Sequence, residues 1–512
     1  MHRLVVALTA LLAISGAAVV AFTLVVAGAT VDRAAALAPA DTAVYANVYL
    51  QPSSGQRARL AALAGRLPGF ADAASLDDKI DQVTQNLLSQ LGIDYRDRVK
   101  PWLGTQVAFA ADAAELTAAE PAGVALVAVR DQAAAEAALA DLLPEADAAA
   151  YRGVDLHVGV EATYALLEEM LVVGTTRPAV EAVVDVSRGA PALADAAAFR
   201  DAIATLPPDR MGTLYVDLIA LAGLADELGS GLSVLSAAIV LEEDGVRLVG
   251  SAPFDAAAAS ESARAAFGLA GEPSSLVEWM PADTQAEVVV FGARQALGVA
   301  ESAAAGTAQG QTLTDALSAI RTLAAFGLGI DLDDEVLPLF DRELAVAVSA
   351  VDTSAPHGLL LARPEDGEAA AALLDRLTQR LEDSGAQVTT QDAGRAEITI
   401  IDLPALETVA YTLVDGIVVA ALEAADVEAA IAAHDSGDTL AATDAYANAF
   451  ALAGERAGNE AWLDVAALVS ATGLADGLVP DARDMLGQIT ALGLTAPSRD
   501  NAIQIRAAVT VE

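Results

Sequence analysis

One pattern occurs twice in this chain and limits what it can fold into. Gly92-Ile93-Asp94, followed by Asp97, Val99, Pro101, Trp102 and Leu103, reads G-I-D-x-x-D-x-V-x-P with two apolar residues after it. The pattern returns at Gly329-Ile330-Asp331 with Asp334, Val336, Pro338, Leu339 and Phe340, 237 positions later. A duplicated domain requires the flanks to match in the same order, and they do. Pro39-Ala40-Asp41-Thr42 and Pro281-Ala282-Asp283-Thr284 each lead into an apolar run, at an offset of 242. Leu214-Tyr215-Val216-Asp217 parallels Ala461-Trp462-Leu463-Asp464 at an offset of 247. The drift from 237 to 247 is what small loop insertions produce, since surface loops tolerate them. Two long copies do not make a solenoid. The chain reads as two homologous domains in tandem.

Residues 4–29 are almost wholly apolar, with His2 and Arg3 ahead of them. Such a length spans a hydrocarbon core of about 30 Å as a helix. The competing reading is a cleaved signal peptide ending at Ala27-Gly28-Ala29, although signal cores are usually shorter. Length favours the anchor, so residues 1–30 are assigned as a transmembrane helix and residues 31–38 as a tether. The first repeat then covers 39–255, a linker 256–275 and the second repeat 276–512. Either reading of the start places the bulk of the chain outside the membrane.

Within each repeat, period-two runs and two-residue turns alternate with leucines or alanines at helical spacing. Asp415-Gly416 is a strong hairpin signal, and Glu168-Glu169 stands at the matching place. Asp244-Gly245 marks another hairpin. Strands thus outnumber what βαβ alternation gives. The expected fold is α+β: two tandem domains, each a mainly antiparallel sheet with helices packed on one face.

The formal charge of −43 excludes a nucleic-acid partner, which needs a basic patch, and disfavours adsorption of the folded part to anionic headgroups. Without cysteine there is no disulfide, thiol nucleophile or thiolate metal site. The four histidines, His2, His157, His357 and His434, lack the spacing of a zinc motif, and each is expected to be structural or superficial. No P-loop, dinucleotide fingerprint, serine elbow or calcium loop occurs.

The aspartates shared by both copies have ordinary local readings. Asp41 and Asp283 are expected to brace their turns, Asp94 and Asp331 their loops, while Asp217 and Asp464 are expected as helix caps. Trp102, Trp279 and Trp462 do not occupy matching positions and are expected in the core. No catalytic, cofactor-binding or metal-ligating residue is assigned, and no cofactor is expected.

Leu-x-Pro-Ala-Asp-Thr before a strand, the Leu67-Pro68-Gly69-Phe70 break and Val99-Lys100-Pro101-Trp102-Leu103-Gly104 form a further pattern behind the apolar start. Together they resemble a bacterial domain-of-unknown-function family of N-terminally anchored extracytoplasmic proteins. The resemblance implies location and general form and carries no catalytic residues. The second repeat departs from it, with Pro338-Leu339-Phe340-Asp341 in place of Pro-Trp-Leu-Gly.

Three functions remain open on these residues. The first is a non-enzymatic binding or scaffolding module of the cell envelope, held to the membrane by its N-terminal helix, with an unknown protein or apolar-ligand partner. The second is a carrier of an apolar ligand, and the third a carboxylate-dependent envelope hydrolase.

Overall fold

The computed structural model describes residues 32–66, 94–269, 271–294, 331–349 and 357–511, apart from positions 52, 118–121, 143–146, 161, 222–230, 341, 403–407, 455, 473–482, 484 and 485, together with isolated positions from 78 to 89 and positions 318 and 321. The expected transmembrane helix over residues 1–30 lies outside the described residues. Among the described residues no helix is long and apolar enough to cross a membrane. The chain forms two compact units, Met1–Gly223 with Leu232–Pro253, and Leu224–Gly231 with Phe254–Glu512.

Among the described residues unit 1 holds ten strands: β1 (Val44–Tyr49), β2 (Leu103–Ala111), β3 (Val124–Val129), β4 (Asp147–Tyr151), β5 (Val154–Val158), β6 (Thr163–Leu167), β7 (Met170–Gly174), β8 (Gly212–Asp217), β9 (Val234–Glu242) and β10 (Gly245–Pro253). Every pairing is antiparallel, in the order β4-β5-β6-β7-β3-β2-β1-β8-β9-β10. Helix Arg177–Ser187 shows why one face is covered. Thr176 caps it by accepting from the Ala179 N–H, and Val180, Val183 and Val184 recur at helical spacing and are fully buried. With Phe199 of helix Ala197–Ala204 they pack on Tyr45, Leu126, Val172 and Tyr215.

The other face is covered too. Helix Gln132–Leu142, capped by Asp131, packs Ala135 and Leu139 on Val127, Tyr164 and Leu171. Helices on one face only was therefore the wrong expectation. β3 and β7 are buried at every position, as continuous apolar runs without alternation require.

Unit 2 contains β11 (Thr284–Phe291), β12 (Glu343–Ser349), β13 (His357–Arg363), β14 (Gln387–Asp392), β15 (Glu397–Asp402), β16 (Val409–Val414), β17 (Ile417–Ala421), β18 (Asn459–Asp464), β19 (Ile489–Ala496), the two-residue β20 (Ser498–Arg499) and β21 (Ala502–Val511). Their antiparallel order is β14-β15-β16-β17-β13-β12-β11-β18-β19-β21. That is the order of unit 1, strand for strand. Helices Ala424–Ser436 and Asp444–Ala453 cover one face, and helix Gly367–Asp383 reaches the other, where Thr378 and Tyr411 share a 2.6 Å hydroxyl contact.

Two connecting segments are built into the cores. In the expected tether, residues 32–38 do not run free, because Ala34, Ala35 and Ala38 are at most 1% exposed and belong to the core of unit 1. Small side chains allow this close packing, and Asp32 fixes the segment through long-range bonds described below. The expected linker 256–275 contains helix Glu261–Leu269 with Ala263 fully buried.

Gly104, in the segment that carries the family resemblance, has a packing reason. A Cβ there would lie 2.7 Å from the carbonyl carbon and oxygen of Ala128 on the neighbouring strand. Gly104→Ala is expected to lower stability by about 1–3 kcal/mol, because two paired backbones must separate. An unchanged denaturation midpoint would show that the strands give way freely.

Candidate functional sites: an open cleft in unit 1 and a buried acidic cluster in unit 2

Unit 1 has an open cleft of about 970 Å³ between the 32–37 segment, helix Gln132–Leu142 and the sheet surface of β5 and β6. Its lining mixes apolar side chains (Leu37, Leu166, Met170) with charged ones (Arg33, Glu136, Asp155, Arg188). His157 and Tyr164 face each other across β5 and β6, and their rings stack at 4.5 Å, nearly parallel. Arg33 also pairs with Glu169 at 2.8 Å on the surface. Such a lining suits a ligand with both apolar and polar parts.

One wall of this cleft is held by a polar node centred on the half-buried Asp32. Asp32 accepts from the Tyr45 hydroxyl at 2.6 Å, from Gln106 Nε2 at 2.6 Å, from Asn47 Nδ2 at 3.0 Å and from the Ala35 N–H at 3.0 Å. Four donors around one carboxylate satisfy it fully. Burial, with the Asp32 charge second, pushes the Tyr45 hydroxyl pKa well above its ordinary value, so it stays a donor.

The matching region of unit 2 is built from different chemistry. Glu287 stands where Tyr45 does, Tyr446 where Phe199 does, and Trp462 where Tyr215 does, at offsets of 242, 247 and 247. Glu287 and Glu460 are 2% and 1% exposed, and Arg456 reaches Glu460 at 2.9 Å. Glu343, also buried, accepts from Ser274 and lies 3.5 Å from Arg363. Burial raises the pKa of all three carboxyls. It is helped at Glu287 by the charge of Glu460 and opposed at Glu460 by Arg456. Glu287 is pushed up to about 8. The position was legible in the sequence: period-two alternation with Val289 and Phe291 already turns Glu287 inward.

The residues singled out from the sequence fall in separate places. Asp94 accepts from the Asp97 N–H at 3.2 Å and Asp331 from the Asp333 N–H at 3.0 Å, so both brace the π-helical turns Tyr95–Val99 and Leu332–Val336. Gly92 and Gly329, which open the pattern, lie outside the described residues. Asp464 caps helix Val465–Thr472 through the Ala467 N–H, and Asp217 accepts from the Ile219 and Ala220 N–H groups. Asp41 and Asp283 are a correction. Both are exposed, and the first turn is closed by Thr42, whose N–H and hydroxyl both donate to the Pro39 carbonyl. The bond there goes to a carbonyl, which a threonine hydroxyl can donate to and an ionised carboxylate cannot.

Trp102, Trp279 and Trp462 are all buried. His434 stacks on Trp279 at 3.9 Å and His357 meets Asp426 at 3.0 Å. His2 lies outside the described residues. Among the described residues no group of three or more histidine, aspartate or glutamate side chains could hold a metal ion.

Solved structures that this chain resembles include crystal forms I and III of TP0453. They are 8% and 9% identical to the chain, cover 44% and 46% of it and 80% and 84% of their own chains, with TM-scores of 0.25 and 0.27. Superposition that loose carries no argument about this chain. No curated protein matches it. A family model described as protein of unknown function (DUF3352) matches residues 4–511, nearly the whole length, and the chain belongs to that family.

Proposed function

We propose that this chain is a single-pass, membrane-anchored extracytoplasmic protein that arose by tandem duplication of an α+β domain and acts as a non-enzymatic binding or scaffolding module of the cell envelope. The open cleft of about 970 Å³ in unit 1 carries the binding reading. The apolar run over residues 4–29 supports the anchor, and the shared strand order of the two units supports the duplication. The strongly shifted carboxyls of unit 2 do not argue for catalysis. They sit in a closed core instead of a cleft, beyond the reach of an envelope polysaccharide.

Fractionation of the full chain, with mass determination of its amino terminus, tests the anchor. Recovery in the membrane fraction with residues 1–29 retained is expected. Release as a soluble protein cleaved after Ala29 would overturn it.

A second reading, carriage of an apolar ligand, is favoured by the Leu37, Leu166 and Met170 side chains lining the cleft. Mass analysis of an organic extract of the purified chain separates the two. A stoichiometric lipid-like molecule would support the carrier, and an empty extract would leave the binding module alone.

A further inference from the structure

β11 and β18 lie side by side in unit 2, with Glu287 directly opposite Trp462. Glu460 is two residues before Trp462, so period-two alternation turns Glu287, Glu460 and Trp462 to one face. Helix Asp444–Ala453 covers that face, and its Tyr446 ring lies 5.8 Å from the Trp462 ring. Neither carboxyl oxygen of Glu287 has a hydrogen-bond partner among the described residues. Glu460 Oε1, the Tyr446 hydroxyl and Trp462 Nε1 are unpartnered in the same way. A dry core rarely leaves so many polar atoms together without a purpose.

The groups around Glu287 set its charge. Glu460 on β18 presents a like charge, and the Tyr446 hydroxyl from the helix stays neutral because burial and both carboxyls push its pKa far up. Ala347, opposite on β12, carries no charge. Arg456 is the nearest cation, and it is committed to Glu460, to the Ser274 carbonyl and to the Tyr446 ring face. Glu343 and Arg363 answer each other further along the sheet. One arginine therefore serves two carboxyls, and the carboxyl it does not touch keeps its proton at neutral pH.

Unit 1 lacks this arrangement. Tyr45, Phe199 and Tyr215 fill the same positions with edge-to-face ring pairs at 5.6 and 5.1 Å, and the Tyr45 hydroxyl is bonded to Asp32.

We propose that Glu287 is a proton-operated latch: as the neutral acid it lets helix Asp444–Ala453 seat on β11 and β18, and loss of its proton to solvent loosens that helix from the sheet of unit 2. Two buried carboxylates then share one arginine, and opening the helix from the sheet to solvent relieves the unpaired charge. Unit 1, with a phenol in place of the acid, does not respond.

Hydrogen exchange of the full chain, measured from about pH 5 to about pH 9 and referred to each amide's intrinsic rate, tests this. Protection of peptides spanning residues 444–464 is expected to fall about tenfold per pH unit until Glu287 is ionised, and then to level off. Peptides spanning residues 197–217 are expected to stay flat, and Glu287→Gln to make the fall at 444–464 distinctly shallower. The same fall in E287Q, or an equal fall at 197–217, would overturn the latch. Infrared difference spectra of wild type against E287Q provide a readout independent of opening. A protonated carboxyl band near neutral pH that E287Q loses is expected in the difference, and its absence would equally overturn the proposal.

Discussion

Asp32→Ala is expected to cost unit 1 about 3–5 kcal/mol, one of the two largest losses foreseen for a single substitution in this chain. The carboxylate accepts from four donors, three of them on side chains of the sheet: Tyr45, Asn47 and Gln106. Those three residues are at most 1% exposed, so alanine leaves their donors behind the cleft wall without the carboxylate oxygens that satisfied them. The bonds are charge-assisted, about twice as strong as neutral ones. Asp32→Asn is expected to fall between wild type and alanine, because its amide restores one oxygen and presents a donor to donors. Denaturation followed by Trp102 fluorescence reads unit 1, while Trp279 and Trp462 report on unit 2. A loss below about 1 kcal/mol would mean that the node is a bystander to folding.

How much of this was legible in the sequence differs by element, for physical reasons. Turns were the clearest signal. Asp415-Gly416 and Glu168-Glu169 do close the β16–β17 and β6–β7 hairpins, with Asp415, Gly416 and Glu168 at positive φ, the left-handed backbone such tight turns require. β4 escaped notice. Its sequence, Asp-Ala-Ala-Ala-Tyr, has low strand propensity and stays largely exposed, and it pairs because the Arg152-Gly153 turn folds it onto β5. The burial of Ala34, Ala35 and Ala38 was invisible for another reason. Alanine is too small to announce a core, and the bond from Gln106 that fixes Asp32 comes from 74 positions away. The acidic cluster shows the opposite case. Its inward register could be read from Glu287, Val289 and Phe291, but the crowding with Glu460 and Arg456 arises only when β11 pairs with β18.

Arg456→Met keeps much of the arginine's apolar stem in place and removes the cation nearest to two buried carboxyls, and unit 2 is expected to lose about 3–5 kcal/mol near neutral pH. The pH dependence of that loss distinguishes a charge effect from a packing effect. A carboxyl whose folded pKa is raised binds its proton more tightly in the folded chain than in the unfolded one. Its contribution is therefore complete below the ordinary carboxyl pKa and is lost as the pH rises to the folded value. For Glu287 the window runs from the ordinary value of 4.5 up to about 8. Within it, wild-type stability should fall by about 1.4 kcal/mol per pH unit from this group. In the variant nothing opposes burial at Glu460, so its pKa, already raised, climbs further and more of a second proton is held on folding. The slope should then be steeper than in the wild type. The gap between variant and wild type is expected to be smallest at the acid end of that window and to widen toward neutrality. Urea denaturation across that range measures it directly. A deficit of constant size would assign the loss to the missing bond from Arg456 to the Ser274 carbonyl and to the Tyr446 ring contact, leaving the charge balance of the core without a part in holding unit 2 together.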